Sequence, residues 1–312
     1  MSIGAAGKFR SRAIAALILL SALWALDGLA PDLFPALRYS PVPALERLAI
    51  TYAVFAVGAA MYAIARGVRW PNFARAASWA GTGVLIFPVP LLLTFAARGS
   101  VSQYERVAIF ALVPVFAIVL EPHLGNQSFR GNGALLAALI SVAGALTIFP
   151  LAVPGRPEAM VAVLAVALAA LSAAVGNCLA VRFAASQTGY STATFATWSS
   201  GAAALAFAIA GISIPRAEWH IPSNMIQIVW SLAIELAPLL PLFWLFSRMS
   251  ATRMTARFLL APLLTVLAGI ALEQPTINAR MIIGVVLLAA GTAWLVFASD
   301  RESAGDSIRI LS

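Results

Sequence analysis

Two carboxylates stand inside long apolar runs of this chain. Asp27 falls in LSALWALDGLAPDLF and Glu235 in WSLAIELAPLLPLFW. An ionised acid at the centre of a bilayer costs about 2.5–3.5 kcal/mol on insertion scales. Such a group faces a wet cavity, holds a proton or pairs with a cation. The chemistry on offer is capture of an ammonium group or carriage of a coupling proton. The structural alternative is a protonated or helix-bonded acid that fixes packing. Ser231, Glu235 and Pro238 fall at i, i+4 and i+7, so they share one helix face. Pro238 cannot donate to the carbonyl of Ile234, and Pro88 likewise frees that of Val84. Lipid tolerates a freed carbonyl only where a cavity, a hydroxyl or a neighbour satisfies it. Such carbonyls are candidate substrate ligands or marks of ordinary kinks.

The elements that hold these groups follow from composition. Of 312 residues, 62% are apolar and only 10% are charged, against about 25% charged in a soluble domain. The mean hydropathy of +0.93 belongs to a polytopic membrane protein. About 20 apolar helical residues cross a bilayer. Ten such stretches occur, at 13–34, 44–65, 75–97, 102–121, 133–153, 159–182, 190–212, 225–247, 251–272 and 278–298. Pro, Gly and polar clusters separate them. The apolar run after Lys8, Arg10 and Arg12 is a retained first span rather than a cleaved leader, because it outlasts a leader's apolar core. Residues 1–12 and 299–312 are expected as cytoplasmic tails. Thirteen Lys and Arg then fall inside and seven outside, which puts both termini in the cytoplasm. At a rise of about 1.5 Å per residue, Glu235 lies about 15 Å from Met225, near the midplane, and Asp27 about 21 Å from Ala13, nearer the outer surface.

The net charge of +8 lies between apolar runs, with no basic patch interleaved with aromatics. It reads as a topology signal, not as nucleic-acid binding. The single cysteine, Cys178, excludes an internal disulfide. His123 and His220 fall in separate loops, so no metal site and no cofactor are expected. Asn177 takes roughly Asp27's place in the second half. Trp24, Trp79 and Trp230 are candidate cavity walls or interfacial packing. Tyr104, Glu105 and Arg106 begin the fourth span at the outer surface. Glu105 could pair there with Arg47, as an outer gate or an interfacial ion pair. Arg248, Arg253 and Arg257 are expected to anchor the inner membrane edge.

The halves 13–153 and 159–298 echo one another. Pro88 precedes Arg98 by ten residues, and Pro238 precedes Arg248 by ten. Pro114 lies 30 before Gly144, and Pro262 lies 29 before Gly291. Chance recurrence is the alternative, since both residues are common in membrane helices. Halves with five spans each must insert in opposite senses, which is a transporter architecture.

Several of these stretches resemble one family. SPVPALERLAITYAVFAV resembles the second helix of the EamA-like permeases of the drug/metabolite transporter superfamily, with Arg47 at that family's arginine position. SVSQYERVAIFALVPVFAIVL and SATRMTARFLLAPLLTVLAGIALEQ resemble its fourth and ninth helices, with Pro114, Pro262 and the terminal Glu273. LLSALWALDG resembles the first helix, with Trp24 in place. One departure is the acid expected after the fourth helix: Asn126 stands near that place, and Glu121 comes early. The resemblance implies an all-α fold of ten transmembrane helices in two inverted five-helix repeats. It also implies a central cavity between helices 1, 3, 4, 6, 8 and 9, with helices 5 and 10 peripheral.

The expected function is a secondary transporter, an exporter of amino acids or similar small metabolites working by alternating access. Its partners would be a small-molecule substrate and the lipid of a bacterial-type cytoplasmic membrane, with a coupling proton as candidate. An integral-membrane enzyme acting on lipid or peptide is the rival, as is a noncatalytic scaffold. The chain carries no G-x-x-x-x-G-K-[ST], H-E-x-x-H or G-x-S-x-G motif. The topology is open to test in a Cys178→Ser background. Cysteines at Ser11 and Ser303 should label only from the cytoplasm, and one at Glu218 only from outside. Termini labelled from opposite sides would require an odd number of spans.

Overall fold

The computed structural model describes residues 3–33, 44–124, 131–151, 155–185, 191–213, 232–273 and 278–297. Among these the chain forms ten helices and no strand. They are α1 (Ile3–Leu33), α2 (Ala44–Ala65), α3 (Phe73–Ile86 and Pro88–Ala96), α4 (Gln103–Phe110 and Val113–Leu124) and α5 (Gly131–Ile148). Then follow α6 (Pro157–Ala185), α7 (Thr192–Ser213), α8 (Leu232–Phe246), α9 (Ala251–Thr255 and Arg257–Glu273) and α10 (Ala279–Phe297). Seven of them, α2, α3, α4, α6, α7, α9 and α10, are long and apolar enough to cross a membrane. Shorter apolar stretches lie in α1, α5 and α8. This is a multi-pass membrane protein.

Local chemistry sets the helix ends. Gly67, with φ of 61°, closes α2: its N–H donates to Ile64 and that of Val68 to Ala63. Glycine reaches this left-handed conformation without strain. Asn72 caps α3 by accepting from the Arg75 N–H. Ser102 and Glu105 form a reciprocal capping box on α4, which satisfies two orphan donors at once. Ser250 caps α9. The span expected at 102–121 therefore runs on to Leu124, and α1 reaches back to Ile3 through the segment expected as a tail. Residues 225–231 and 299–312 lie outside the described residues.

Four helices are interrupted, and the interruptions carry the site. Turns fall at Phe87 in α3, at Ala111 and Leu112 in α4, at Ala237 and Pro238 in α8 and at Ala256 in α9. The proline after each turn, or within it, explains the break at Phe87 and at Ala237, because its ring removes a donor. Ser172 of α6 donates to the Leu85 carbonyl at the first of these (2.9 Å).

Small residues let the helices close on one another. α5 packs along α10, and there a Cβ on Gly144 would stand 2.4 Å from the Leu288 nitrogen. On Gly291 it would stand 2.6 Å from the Ala137 carbonyl oxygen. α7 packs on both α2 and α3, and at Gly83 a Cβ would meet the Ser199 backbone at 2.1 Å. Membrane helices approach this closely because association there rests on packing rather than on expulsion of water. Between α3, α7 and α8 the rings of Trp79, Phe195, Phe243 and Phe246 meet edge to face and are fully buried.

Gly144→Ala should lower stability by about 1–3 kcal/mol, since backbone rather than a side-chain tip blocks the added methyl. Gly58→Ala is the control: nothing lies within 4 Å of that methyl, and helix propensity favours Ala by about 1 kcal/mol. Thermal unfolding of both variants in detergent should separate them in sign.

Candidate functional site

The turns in α3 and α8, with the proline-bearing part of α9, frame a cavity of about 590 Å³. All six helices expected around a central cavity contribute, and α2 joins them. Trp24, Tyr52, Phe87, Phe110 and Phe258 supply aromatic walls. Pro90, Pro238 and Pro262 stand between them. The mouth is marked by Ala44, Arg98 and Gln103, all exposed, at the starts of α2 and α4 and just after α3. Toward the opposite end the described residues close together. There Ala251, Thr252, Met254 and Thr255, at the start of α9, are fully buried.

Glu235 reaches this cavity and is spoken for. Arg47 of α2 donates from Nε to its Oε1 at 2.5 Å, and Thr51 donates to Oε2 at 2.8 Å. Arg47 and Thr51 are four residues apart, so one face of α2 presents both groups. The side chains of Arg47 and Glu235 are 25% and 11% exposed, so their attraction is only partly screened by water. The pair ties α2 to α8. Glu105, the acid expected as a partner for Arg47, caps its own helix by accepting from the Ser102 N–H at 2.7 Å.

Arg257 corrects an expectation. Its sequence context, SATRMTARF, reads as a basic membrane edge, yet the residue is 1% exposed and lines the cavity. Ser250 starts α9 so that Arg257 opens the helix piece after the turn at Ala256, pointing inward rather than at the rim. Its Nη1 donates to the Met254 carbonyl (3.0 Å) and its Nη2 to Oδ1 of Asn177 (2.8 Å). Nε has no partner. The guanidinium carbon sits 5.0 Å from the Trp24 ring centre and 4.8 Å from that of Phe258, within cation–π range. Asn177 is fully buried and holds Arg257, its amide also donating to Ala173.

The remaining expected residues separate into three groups. Trp24 is in the cavity wall, 5.8 Å from Phe258 ring to ring. Trp79 is buried away from it, edge-on to Phe195, and Tyr104 is exposed and stacked on Phe149. Ser231, Trp230 and the side chain of Asp27 lie outside the described residues. Pro88 opens the second piece of α3, Pro114 sits in the first turn of the second piece of α4, and Pro262 lies within α9.

Glu121 also has a place that the sequence did not indicate. It is 3% exposed and accepts from the Ala251 N–H (3.0 Å), the Thr252 N–H (3.2 Å) and the Thr252 hydroxyl. A carboxylate at a helix N-terminus meets free donors and the positive end of the dipole. Here it locks α4 to α9 at the sealed end.

The ion pair should show coupling. Arg47→Met strands Glu235 in a partly buried position, and Glu235→Gln strands Arg47. A double-mutant cycle on thermal stability should give a coupling of about 1–3 kcal/mol. Additive losses would mean that the two groups do not depend on each other.

No family profile matches this chain, and no curated protein does. A solved structure described as "Crystal structure of protein" superposes on it with a TM-score of 0.71, covering 93% of this chain and 99% of its own. The two sequences are 19% identical, so the likeness is one of fold.

Proposed function

We propose that this protein is a secondary transporter of the EamA-like permease type, moving small metabolites by alternating access. The observation that carries the reading is a cavity that, among the described residues, opens at one end, is closed over at the other and is framed by interrupted helices. Interrupted helices at corresponding places in two halves point to substrate sites in transporters. α3 and α4 are interrupted in the first half, and α8 and α9 in the second.

The reading includes ten spans and an inverted repeat of 13–153 on 159–298. Support comes from offsets along the chain. Pro88 and Pro238 are 150 apart, as are Arg98 and Arg248, while Ser102 and Ser250, and Pro114 and Pro262, are 148 apart. Phe110 and Phe258 stand four residues before Pro114 and Pro262, and their rings meet at 5.9 Å inside the cavity. A like-with-like contact of this kind is what a two-fold axis through the site would generate. With both termini cytoplasmic, the open end faces outward, and the contact of Glu121 of α4 with the start of α9 belongs to the closed inner gate.

The cavity of about 590 Å³ suits a solute of amino-acid size. In this scheme Arg47 and Glu235 link the two halves, α2 from the first and α8 from the second, beside the path. Breaking and remaking that link is a step in rocking the halves.

Purified protein in liposomes should carry a small metabolite down its gradient. Glu235→Gln keeps the side-chain length and the bond to Thr51 but loses the charge. At matched protein levels it should reduce flux about tenfold, a change of about 1.4 kcal/mol in the barrier, while insertion is retained. Wild-type flux in that variant would reduce the pair to packing. Absence of flux for any small metabolite in the wild type would remove the transport reading.

A further inference from the structure

We infer that the cavity recognises an organic carboxylate with a flat apolar body and no amino group, and that Arg257 receives the carboxylate. The inference narrows the cargo of the transporter proposed above and rests on that reading only for the word cargo.

Charge sets the sign of the ligand. Four arginines, Arg47, Arg98, Arg106 and Arg257, line the cavity, against one acid, Glu235. That acid is ion-paired with Arg47 and accepts from Thr51, so among the described residues no lining carboxylate is left unpaired for an ammonium group. Arg47 is neutralised in the same bond. Arg98 and Arg106 stand near the mouth, where they attract an anion before it enters.

Arg257 is the deep member of the set. It is permanently charged, 1% exposed, and bonded, among the described residues, to two neutral oxygens, those of Met254 and Asn177. Among the described residues no carboxylate is paired with it. A buried charge without a counter-ion is costly, and a bound anion would relieve that cost. Its Nε is buried and without a hydrogen-bond partner, and a guanidinium binds a carboxylate through two parallel N–H donors. Asn177 and Met254 hold the group in place, so little side-chain freedom is lost on binding. The residue 148 earlier, at the offset that relates Pro262 to Pro114, is Ile109, which is buried as packing. The first half fills this position with a hydrocarbon, and the second fills it with a cation.

The rest of the cavity sets the body of the ligand. Trp24 and Phe258 flank the guanidinium, while Phe110, Phe87 and Tyr52 continue the aromatic wall. Rings favour a flat apolar group stacked or edge-on. An acid of this shape loses little on leaving water and pairs its charge at the far end.

The test measures binding to the full-length purified protein by calorimetry and thermal shift. The probes are 3-phenylpropionate, 3-phenylpropanamide, phenethylamine and phenylalanine. 3-Phenylpropionate should bind, and the other three should bind at least tenfold more weakly. Arg257→Met should weaken 3-phenylpropionate at least tenfold. Arg257→Lys, which keeps the charge and loses the fork, should fall between. Should Arg257→Met fail to fold, the lysine variant and the wild-type ranking decide. Equal binding of acid and amide, tighter binding of phenylalanine or phenethylamine, or no change in the Arg257 variants would overturn the assignment. Proteoliposome flux of 3-phenylpropionate separates this from the transport reading. Arg257-dependent binding with no flux of 3-phenylpropionate or any other small metabolite removes transport and leaves the site. Flux of another small metabolite with charge-blind binding removes the site and leaves transport.

Discussion

A helix interrupted inside lipid exposes backbone groups that lipid cannot satisfy, and the central architecture answers that constraint. An unpaired carbonyl in hydrocarbon costs several kcal/mol. The chain nevertheless breaks α3, α4, α8 and α9. All four border the cavity described above, where polar atoms have a place to go. At the first break, Ser172 from α6 supplies a hydroxyl. The break, the hydroxyl and the cavity form one device. Removing any of them leaves the others costly.

The same reasoning orders the charges. Outside the aqueous layers an isolated acid or cation is expensive, so each should have a use or a partner. Glu235 has Arg47 and Thr51, and Glu121 has the start of α9. Both acids join helices from different parts of the chain. Glu235 stands at the cavity and Glu121 at the start of α9, so the alternating access proposed above would alter both. Arg257 is different, because its partners are neutral. Among the described residues its cost is met by ring faces and two carbonyl-type oxygens, which is why the proposed anion is assigned to it.

Much of this fold was legible in the sequence because lipid imposes simple rules. The apolar runs gave helices close to their observed limits: the run at 44–65 is α2 (Ala44–Ala65), and that at 251–272 is α9. Pro88 and Pro238 marked two breaks through chemistry local to the chain. The break at Ala256 has no such mark, because Pro262 lies six residues on. The partner of Glu235 was not legible, since Arg47 is 188 residues away. The spacing of Arg47 and Thr51 did hold the signal, as two polar groups on one face of an apolar helix must face something polar. Arg257 was misread for a physical reason. A basic residue near a helix start looks like an interfacial anchor, and only the inward turn of α9 toward Asn177 shows otherwise.

The glycine contacts explain why the cavity can sit where the helices are weakest. α5 and α10 do not line it. They are pressed together so closely at Gly144, Gly284 and Gly291 that no side chain fits between the backbones, and the Ser141 and Thr292 hydroxyls meet across the same seam at 3.4 Å. Dispersion falls off steeply with distance, so backbone-to-backbone packing gives the stiffest contact an apolar seam can offer. α5 comes from the first half and α10 from the second. The stiff seam therefore joins the halves at one side, and the Arg47–Glu235 pair joins them at the cavity. In the proposed transport cycle, a rigid seam on one side and a breakable ionic link on the other would serve as hinge and latch. The seam tolerates no extra methyl group, whereas the latch is two side chains that can part without moving a backbone.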